Sequence, residues 1–533
     1  MKRIHYLYTM ALAALILGSC GKGYLTNLAV NPNQPSTSQT SPSLVLSAAL
    51  ASTVAEVQGG DYNAQSTWLG NINYKGGYAI STNTLTYILT NGAYNGCWGN
   101  LYYNLTNYNF IVQKVAGTQN NDDYTAIGKI MEVWDFAYLV DNFNNVPYSQ
   151  TMKAPTVNTP AYDTAETIYT SLVTLLDTAI NLINATSSNT TESNPGSFDV
   201  LFGGNMSLWA AFANTLKLRL LLQQSEMSGR SSYITQELAV TASTPYLGPG
   251  QNAFIQPGYA NQNGPNGGNQ QNPFYGFLGY TINGSPTGFY AEQGACQAAI
   301  DFLNKTNDAF RLPLEYDSVP GVSPASYSAA YFGILPAGNI SSLGHYAGNQ
   351  SGQGFLQGPK VPAVLMSAGE SLLMQAEAAE RGWISGGDAA AENFYQEGIT
   401  ESFEYLGGVY SGSGSASTAT AAAQAYYGQT GVQDVSWSGT TNQKIRAIIM
   451  QKWIAWAVLN PMISWNDYRR FQDMTNPDGT TGWPDVPLSQ DPNNKATHLP
   501  YRVLYPNSEY QLNATNVGAQ GTVTADSKIF WMP

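Results

Sequence analysis

Charge is scarce in this 533-residue chain: Asp, Glu, Lys and Arg make up only 11% of it, against roughly 25% in ordinary soluble domains. The polar surface must therefore be built from Asn, Gln, Ser, Thr, Gly and Tyr. Basic residues are the scarcer sign, 22 Lys and Arg against 35 Asp and Glu. An acidic chain has no electrostatic footprint for a phosphate backbone, so no nucleic acid partner is expected. Histidine is almost missing. His5 falls in the N-terminal leader, and His345 and His498 have no cysteine or acid at ligand spacing, which argues against a zinc site. Gly386-Gly387 and Gly407-Gly408 are not followed by the Lys-Ser/Thr of a phosphate loop. Asp473, Asp478 and Asp485 lack EF-hand spacing. No cofactor is expected, and calcium at this oxygen-rich Asp473–Asp485 stretch is the one metal left open. Long apolar runs are also lacking beyond the leader, so no transmembrane helix is expected.

Cysteine numbers three: Cys20, Cys97 and Cys296. The first closes a leader. Lys2 and Arg3 precede an apolar core over Leu7 to Leu17, and small residues follow, the layout of a secretion signal too short to span a bilayer. Leu17-Gly18-Ser19-Cys20 resembles a bacterial lipobox. Residues 1–19 then read as a lipoprotein signal peptide, with Cys20 as the lipidated first residue that anchors the protein to a membrane. Loss of Lys2 and Arg3 leaves 20 basic against 35 acidic residues, a formal charge of −15. Residues 20–43 read as a polar, turn-rich tether and arm carrying Asn31-Pro32-Asn33 and Pro35. Cys97 and Cys296 can bridge in an oxidising compartment, or stay buried and free on their separate helical patterns.

From Leu44 onward helical spacing dominates. Ile127, Ile130, Trp134, Ala137 and Tyr138 share one face. Asp163-Thr164-Ala165-Glu166 resembles a capping box opening a helix with Ile168, Leu172, Leu176, Ala179 and Ile183 inward. Trp209, Phe212, Leu216 and Leu220 mark another helix. Leu365, Ala368, Leu372, Ala376 and Ala379 mark the next, with Gly382 as its C-terminal stop. Asp388 is placed to cap a helix carrying Tyr395, Ile399 and Leu406. Ile445, Ile449, Trp453 and Trp456 mark the last. Small residues such as Ala368, Gly369, Ala376 and Ala378 allow helices to approach closely. The fold class read from this is mainly α: a tetratricopeptide-like superhelix of helix pairs, decorated by long irregular loops and minor β structure. No strict 34-residue repeat is present. Residues 44–533 read as a single helical domain with loop insertions near 251–290 and 407–440, the stretch 411–424 having the composition of a flexible segment.

Six stretches together are similar to one family, the SusD/RagB outer-membrane lipoproteins of Bacteroidetes. They are Asn31-Pro32-Asn33 after the lipobox, WDFAYLVDNFNNVPYSQ (134–150), YDTAETIYTSLVTLLDTAI (162–180), LWAAFANTLKLRLLL (208–222), PAVLMSAGESLLMQAEAAERGW (362–383) and IIMQKWIAWAVLNPMISWNDYRR (448–470). The closing Arg502, Tyr505, Pro506, Glu509 and Asn513 resemble the family's terminal motif. The resemblance implies a lipid-anchored protein of the outer membrane, probing the outside of the cell. It also implies a SusC-like TonB-dependent transporter as partner, capture of an oligosaccharide or sometimes a peptide, and no bond-breaking chemistry. One departure concerns orientation: Gly21-Lys22-Gly23-Tyr24 follows Cys20 and the first acid is Glu56, whereas surface-exported members carry acids directly after the cysteine. An inward-facing anchor is the alternative.

Tyrosine and tryptophan are plentiful, 35 and 11 residues. Such rings offer an apolar face and a polar tip, which suits neutral sugars, although most fill the core of a helical protein. The ligand-binding candidates are those in irregular polar context: Trp68, Tyr74 and Tyr78 in 66–83, and Phe274, Tyr275, Tyr280, Phe289 and Tyr290 in the middle-third loop. Asn71, Asn73 and Asn83 are available as amides for sugar hydroxyls. Trp98 reads as core. Glu370, Glu377 and Glu380, with Lys452, Arg469 and Arg470, read as buried ion pairing rather than acid–base machinery. A glycoside hydrolase, which needs two carboxylates across a cleft, and a structural or peptide-binding lid without glycan affinity are the alternatives.

Overall fold

In the computed structural model, residues 40–59, 63–264, 267–319, 326–338, 340–344, 352–472 and 486–533 are described. The leader, Cys20, the Asn31-Pro32-Asn33 motif, His345 and the Asp473–Asp485 stretch lie outside them. Ten long helices carry the scaffold: α1 (Pro42–Gln58), α2 (Asn95–Val115), α3 (Asp122–Phe143), α4 (Ala165–Thr186), α5 (Met206–Leu222), α6 (Ala368–Glu380), α7 (Gly387–Leu406), α8 (Ala416–Tyr427), α9 (Thr441–Trp456) and α10 (Pro461–Arg470). Each packs on the next along the series α1 to α8, while α9 returns onto α6 and α10. Three two-stranded antiparallel pairs complete it. They are β1 (Ile72–Tyr74) with β5 (Gln293–Ala295), β2 (Val146–Pro147) with β3 (Tyr162–Asp163), and β4 (Ala253–Ile255) with β6 (Ala363–Met366). The arrangement is the helix-pair stack read from the sequence. Helix α4 is long and apolar enough to cross a membrane by length and composition. Here it lies between α3 and α5 with Ile168, Leu172, Leu176, Ala179 and Ile183 inward, so its apolar stripe faces protein.

The tightest crossing is α6 on α7, and glycine makes it possible. A Cβ on Gly398 would lie 2.7 Å from Leu373 Cγ, and one on Gly369 would lie 2.9 Å from Trp456 Cζ2 and 3.1 Å from the Gly398 carbonyl. The helices therefore meet backbone to backbone, which costs helix propensity at two positions and returns close packing.

Around this crossing α6 and α10 are buried on nearly every side, so their charges must find partners inside. Arg470 donates to both Glu377 carboxylate oxygens at 2.9 Å, to Asp467 at 2.7 Å and to the Leu222 carbonyl at 2.8 Å. Lys452 pairs with Asp467 at 2.8 Å, and Arg381 with Glu377 at 3.0 Å. Arg219 pairs with Glu370 and lies over the Trp134 ring at 4.5 Å. Burial alone would raise the Glu377 pKa; Arg470, Arg381 and Lys452 outweigh it and hold the carboxyl at about 2. The acids of the α6 motif are thus structural. Arg469 departs from the expected pairing: it donates to the Asp141 carbonyl at 2.5 Å and stacks 3.7 Å from the Trp465 ring.

The terminal motif is explained by the β2–β3 hairpin. Glu509 accepts from Tyr162 Oη at 2.8 Å, Asn513 donates to the Pro160 carbonyl at 2.9 Å, and Tyr505 Oη donates to the Asn145 carbonyl at 2.7 Å. Trp98, Phe143, Tyr162 and Tyr505 form the aromatic cluster beneath, so Trp98 is core as expected.

Three local expectations are corrected. Thr164, not Asp163, caps α4, accepting from Thr167 N; Asp163 instead takes the Tyr148 and Ser149 amides at 2.9 and 2.8 Å and holds the hairpin turn. Asp388 lies inside the first turn of α7, where it accepts from Trp437 Nε1 at 2.9 Å, and Gly386 occupies the cap. The stretch 411–424 is largely helix α8, because Ala419, Ala423 and Tyr426 bury against α7; small-residue composition marked close packing there, not flexibility. Gly382 does end α6, with φ +72° and its N–H donating to Ala379 O at 2.9 Å. Cys97 and Cys296 are both buried and form no disulfide.

Two outcomes follow from this packing. Gly398→Ala, a change that favours an ordinary helix by about 1 kcal/mol, lowers unfolding stability here by about 1–3 kcal/mol through overpacking, measured by chemical denaturation. Glu377→Gln removes the bidentate carboxylate from Arg470, leaving Asp467 to balance both Arg470 and Lys452, and costs about 3 kcal/mol at neutral pH. Because the folded pKa is depressed, the stabilisation is complete above the unfolded carboxyl value and disappears as pH falls through the folded value of about 2. The stability gap between wild type and variant therefore narrows between pH 5 and pH 2, and a gap that stays constant contradicts the assignment.

Candidate functional site

Strand pairing decides where the candidate rings go. Ile72 faces Ala295, Asn73 faces Gly294 and Tyr74 faces Gln293. The two aromatic stretches, some 200 residues apart in sequence, thereby meet along one short ribbon. Beyond Tyr74 the chain turns through Gly76-Gly77, where Gly77 has φ +90°. Gly76 lies so close to the Pro336 carbonyl that no side chain fits. Asn73 braces the neighbouring turn by donating to the Ala330, Tyr331 and Ile334 carbonyls at 3.0, 3.1 and 3.2 Å.

An open groove of about 610 Å³ runs along this junction. Tyr78 and Ala291 stand on it, together with Lys75, Asp317, Ser318 and Ser342. Tyr78 is 39% exposed, enough to present a ring face. Phe289 is 42% exposed, lies on the same short helix, Gly288–Glu292, as the groove residue Ala291, and packs on Phe277 at 4.2 Å between ring centroids. Tyr280 and Tyr74 are half-buried. Tyr280 packs on Tyr290 at 4.9 Å and on Tyr275 at 6.2 Å, and Lys75 Nζ lies 5.0 Å from the Tyr290 ring centre. Two aromatic sets result, Phe277 with Phe289 and Tyr275 with Tyr280 and Tyr290, the second joined to the groove through Lys75.

Four of the eight candidates are corrected by their burial. Trp68, Phe274, Tyr275 and Tyr290 are 3–7% exposed and have no free face to offer a ligand. Trp68 packs edge-on against Tyr87 and Trp465 at 6.2 and 5.9 Å. Phe274 lies in the core with Val57, Phe277 and Val458 around a small void. A polar, glycine-rich sequence context hid this, because packing partners such as Trp465 of α10 for Trp68 and Val57 and Val458 for Phe274 lie far away in sequence. Asn71 is buried as well and Asn73 serves as the turn brace, whereas Asn83 is exposed.

Sequence reasoning missed the polar lining of the groove and an exposed apolar pair near the Asn73-braced turn. Lys75, Asp317, Ser318 and Ser342 were not singled out, although the Lys-Gly-Gly-Tyr run (75–78) carries a visible close-approach signal in its paired glycines. Ile334 and Leu335, 41% and 39% exposed, follow directly on the turn that Asn73 holds. His498 stacks on Tyr501 at 3.9 Å, far from any such cluster. Among the described residues no group of three or more His, Cys, Asp and Glu is placed to hold a metal ion. A small void of about 30 Å³ at the ion network, lined by Trp134, Arg219, Glu370 and Arg470, is closed in by scaffold and has room for about two waters.

Comparison with solved structures supports the architecture. A SusD homologue from Bacteroides fragilis NCTC 9343 superposes with a TM-score of 0.72 at 19% identity, covering 93% of this chain and 100% of that one. A chitin-binding SusD homologue from Flavobacterium johnsoniae gives 0.68 at 21% identity, covering 91% and 98%. A further chitin-binding protein gives 0.69 at 22% identity, covering 92% and 100%. No curated protein sequence matches the chain. The family model described as starch-binding, associating with the outer membrane, matches residues 32–506. The chain therefore belongs to the SusD-like family of starch-binding proteins that associate with the outer membrane.

Proposed function

We propose that the chain captures an oligosaccharide in the Tyr78 groove without cleaving it and delivers it to a SusC-like TonB-dependent transporter. In this reading Cys20 carries the lipid anchor and the protein faces outward from the outer membrane. The observation that carries the binding reading is the β1–β5 pairing, which brings Tyr78 to one open, hydroxyl-lined groove with Ala291, from the short helix that also carries the exposed Phe289. Flat rings meet sugar C–H faces, and the Ser318 and Ser342 hydroxyls donate and accept towards sugar hydroxyls. Membership of a starch-binding family and likeness to chitin-binding proteins support a glycan as the class of ligand.

Binding without turnover fits the composition of the groove. Among the described residues lining it Asp317 is the one carboxylate, whereas glycoside hydrolysis uses two, about 5–5.5 Å or about 6.5–9.5 Å apart.

Affinity electrophoresis of the protein starting after Cys20, against plant, fungal and bacterial polysaccharides, tests the reading, with chromatography of the same mixtures for products. Retardation by a glycan without products is expected. Tyr78→Ala and Phe289→Ala each weaken that binding about fivefold, and the pair together by more than tenfold, at roughly 1 kcal/mol per ring, with little loss of thermal stability. Trp68→Ala instead destabilises the fold by about 3–5 kcal/mol. Retention of full affinity by the Tyr78–Phe289 double variant would place the ligand elsewhere.

A further inference from the structure

The groove holds a cation, Lys75, with two of its three donors taken among the described residues. Lys75 is 8% exposed and lines the groove beside Tyr78. Its backbone N–H donates to the Glu292 carbonyl at 2.7 Å, which fixes the start of the side chain. An ammonium has three N–H donors and no acceptor. One donates to the Tyr290 carbonyl at 2.9 Å and one to Ser342 Oγ at 2.9 Å. Both acceptors are neutral, so the buried charge is only partly compensated, and among the described residues no acceptor takes the third N–H, which remains for a group in the groove.

We propose that this third N–H reads a carboxylate on the ligand, so that the groove selects acidic oligosaccharides, those bearing uronic acids, over their neutral counterparts. The proposal rests on the glycan reading of the same groove and names its ligand class. Desolvation of a buried ammonium is costly, and a charge-assisted hydrogen bond to a carboxylate offsets it where a neutral carbonyl or hydroxyl does so less well. The other titratable groups around Lys75 are Asp317, which lines the same groove and acts on its charge, and the Tyr290 ring on the short helix; the Glu292 carboxylate at the end of that helix acts on Tyr74. Asp317 favours the ammonium but does not balance its burial: desolvation dominates and the Lys75 pKa is lowered to about 8. Asp317 also repels an incoming anion, so it moderates the preference that Lys75 creates. The net charge of the chain opposes anions at long range, but beyond about 8 Å that field is screened at physiological ionic strength.

The test is calorimetry on the protein starting after Cys20 with a panel of oligouronates (galacturonate, glucuronate, mannuronate and guluronate), each against its own methyl ester. Esterification removes the charge and keeps the sugar. At least one free acid is expected to bind about tenfold more tightly than its ester. At pH 8, binding of the acid takes up roughly half a proton as Lys75 recharges, measured in two buffers of different ionisation enthalpy, whereas the ester takes up none. Lys75→Met abolishes the preference for acid. Asp317→Asn, compared at pH 6 so that Lys75 stays charged without its neighbour, enlarges it. Equal affinity for every acid and ester pair overturns the proposal, as does a preference that survives in Lys75→Met or shrinks in Asp317→Asn. Binding of neutral glycans alone overturns it while leaving the glycan reading standing. Binding of no oligosaccharide of either charge overturns the glycan reading itself, and this proposal with it.

Discussion

The bidentate pairing of Arg470 with Glu377 is the constraint on which the rest depends. It ties α10 to α6 at the centre of the helix stack, and Arg470 reaches the end of α5 through the Leu222 carbonyl. A helix as fully buried as α10, carrying Asp467, Arg469 and Arg470, can exist only if each charge is matched inside, because removing one partner strands the other. The effect travels outward through tryptophan. Trp465 of α10 meets Trp68 edge-on, Trp453 of α9 donates to the Leu69 carbonyl at 2.9 Å, and Ser66 donates to the Ala457 carbonyl at 2.7 Å. Those contacts seat the segment that runs directly into β1, and β1 positions the groove. A polar core network thus locates a surface site by a continuous physical path.

Why the interior is polar at all follows from composition. With so few charged residues overall, many of those present are drawn inside, where Arg470, Glu377, Asp467, Lys452, Arg311 and Asp308 are all nearly or wholly buried. The surface is left to amides, hydroxyls and tyrosines, groups that exchange hydrogen bonds with sugar hydroxyls as readily as with water. The same economy that makes the core ionic leaves the outside suited to glycans.

Much of the scaffold was legible in the sequence. Helical periodicity located α3 to α7 and α9, and the small residues at 368–369 announced the close crossing that Gly369 and Gly398 realise. Gly382 marked a helix end because only a residue tolerant of positive φ ends a helix that way. The site was legible in part. Both aromatic stretches were identified, but which rings face water depends on tertiary partners: Trp68 is covered by Tyr87 and Trp465, and Phe274 by Val57 and Val458, none of them near in sequence. Lys75 was passed over because the paired glycines beside it mark a close backbone approach but not what the lysine meets, which is decided only when β1 and β5 pair. The misreading of 411–424 has the same origin. Alanine and serine runs look flexible locally, and become ordered only when a neighbour such as α7 offers a surface to pack on.

The central claim is that ligand capture occurs on the groove that β1 and β5 build. A crystal structure of the protein with an oligosaccharide that it retains tests this most directly. The account predicts sugar rings stacked on Tyr78 and adjoining Phe289, with hydroxyls on Ser318 or Ser342 and the 68 and 274 rings still covered. Sugar bound on another face, with the Tyr78 groove empty, would contradict it.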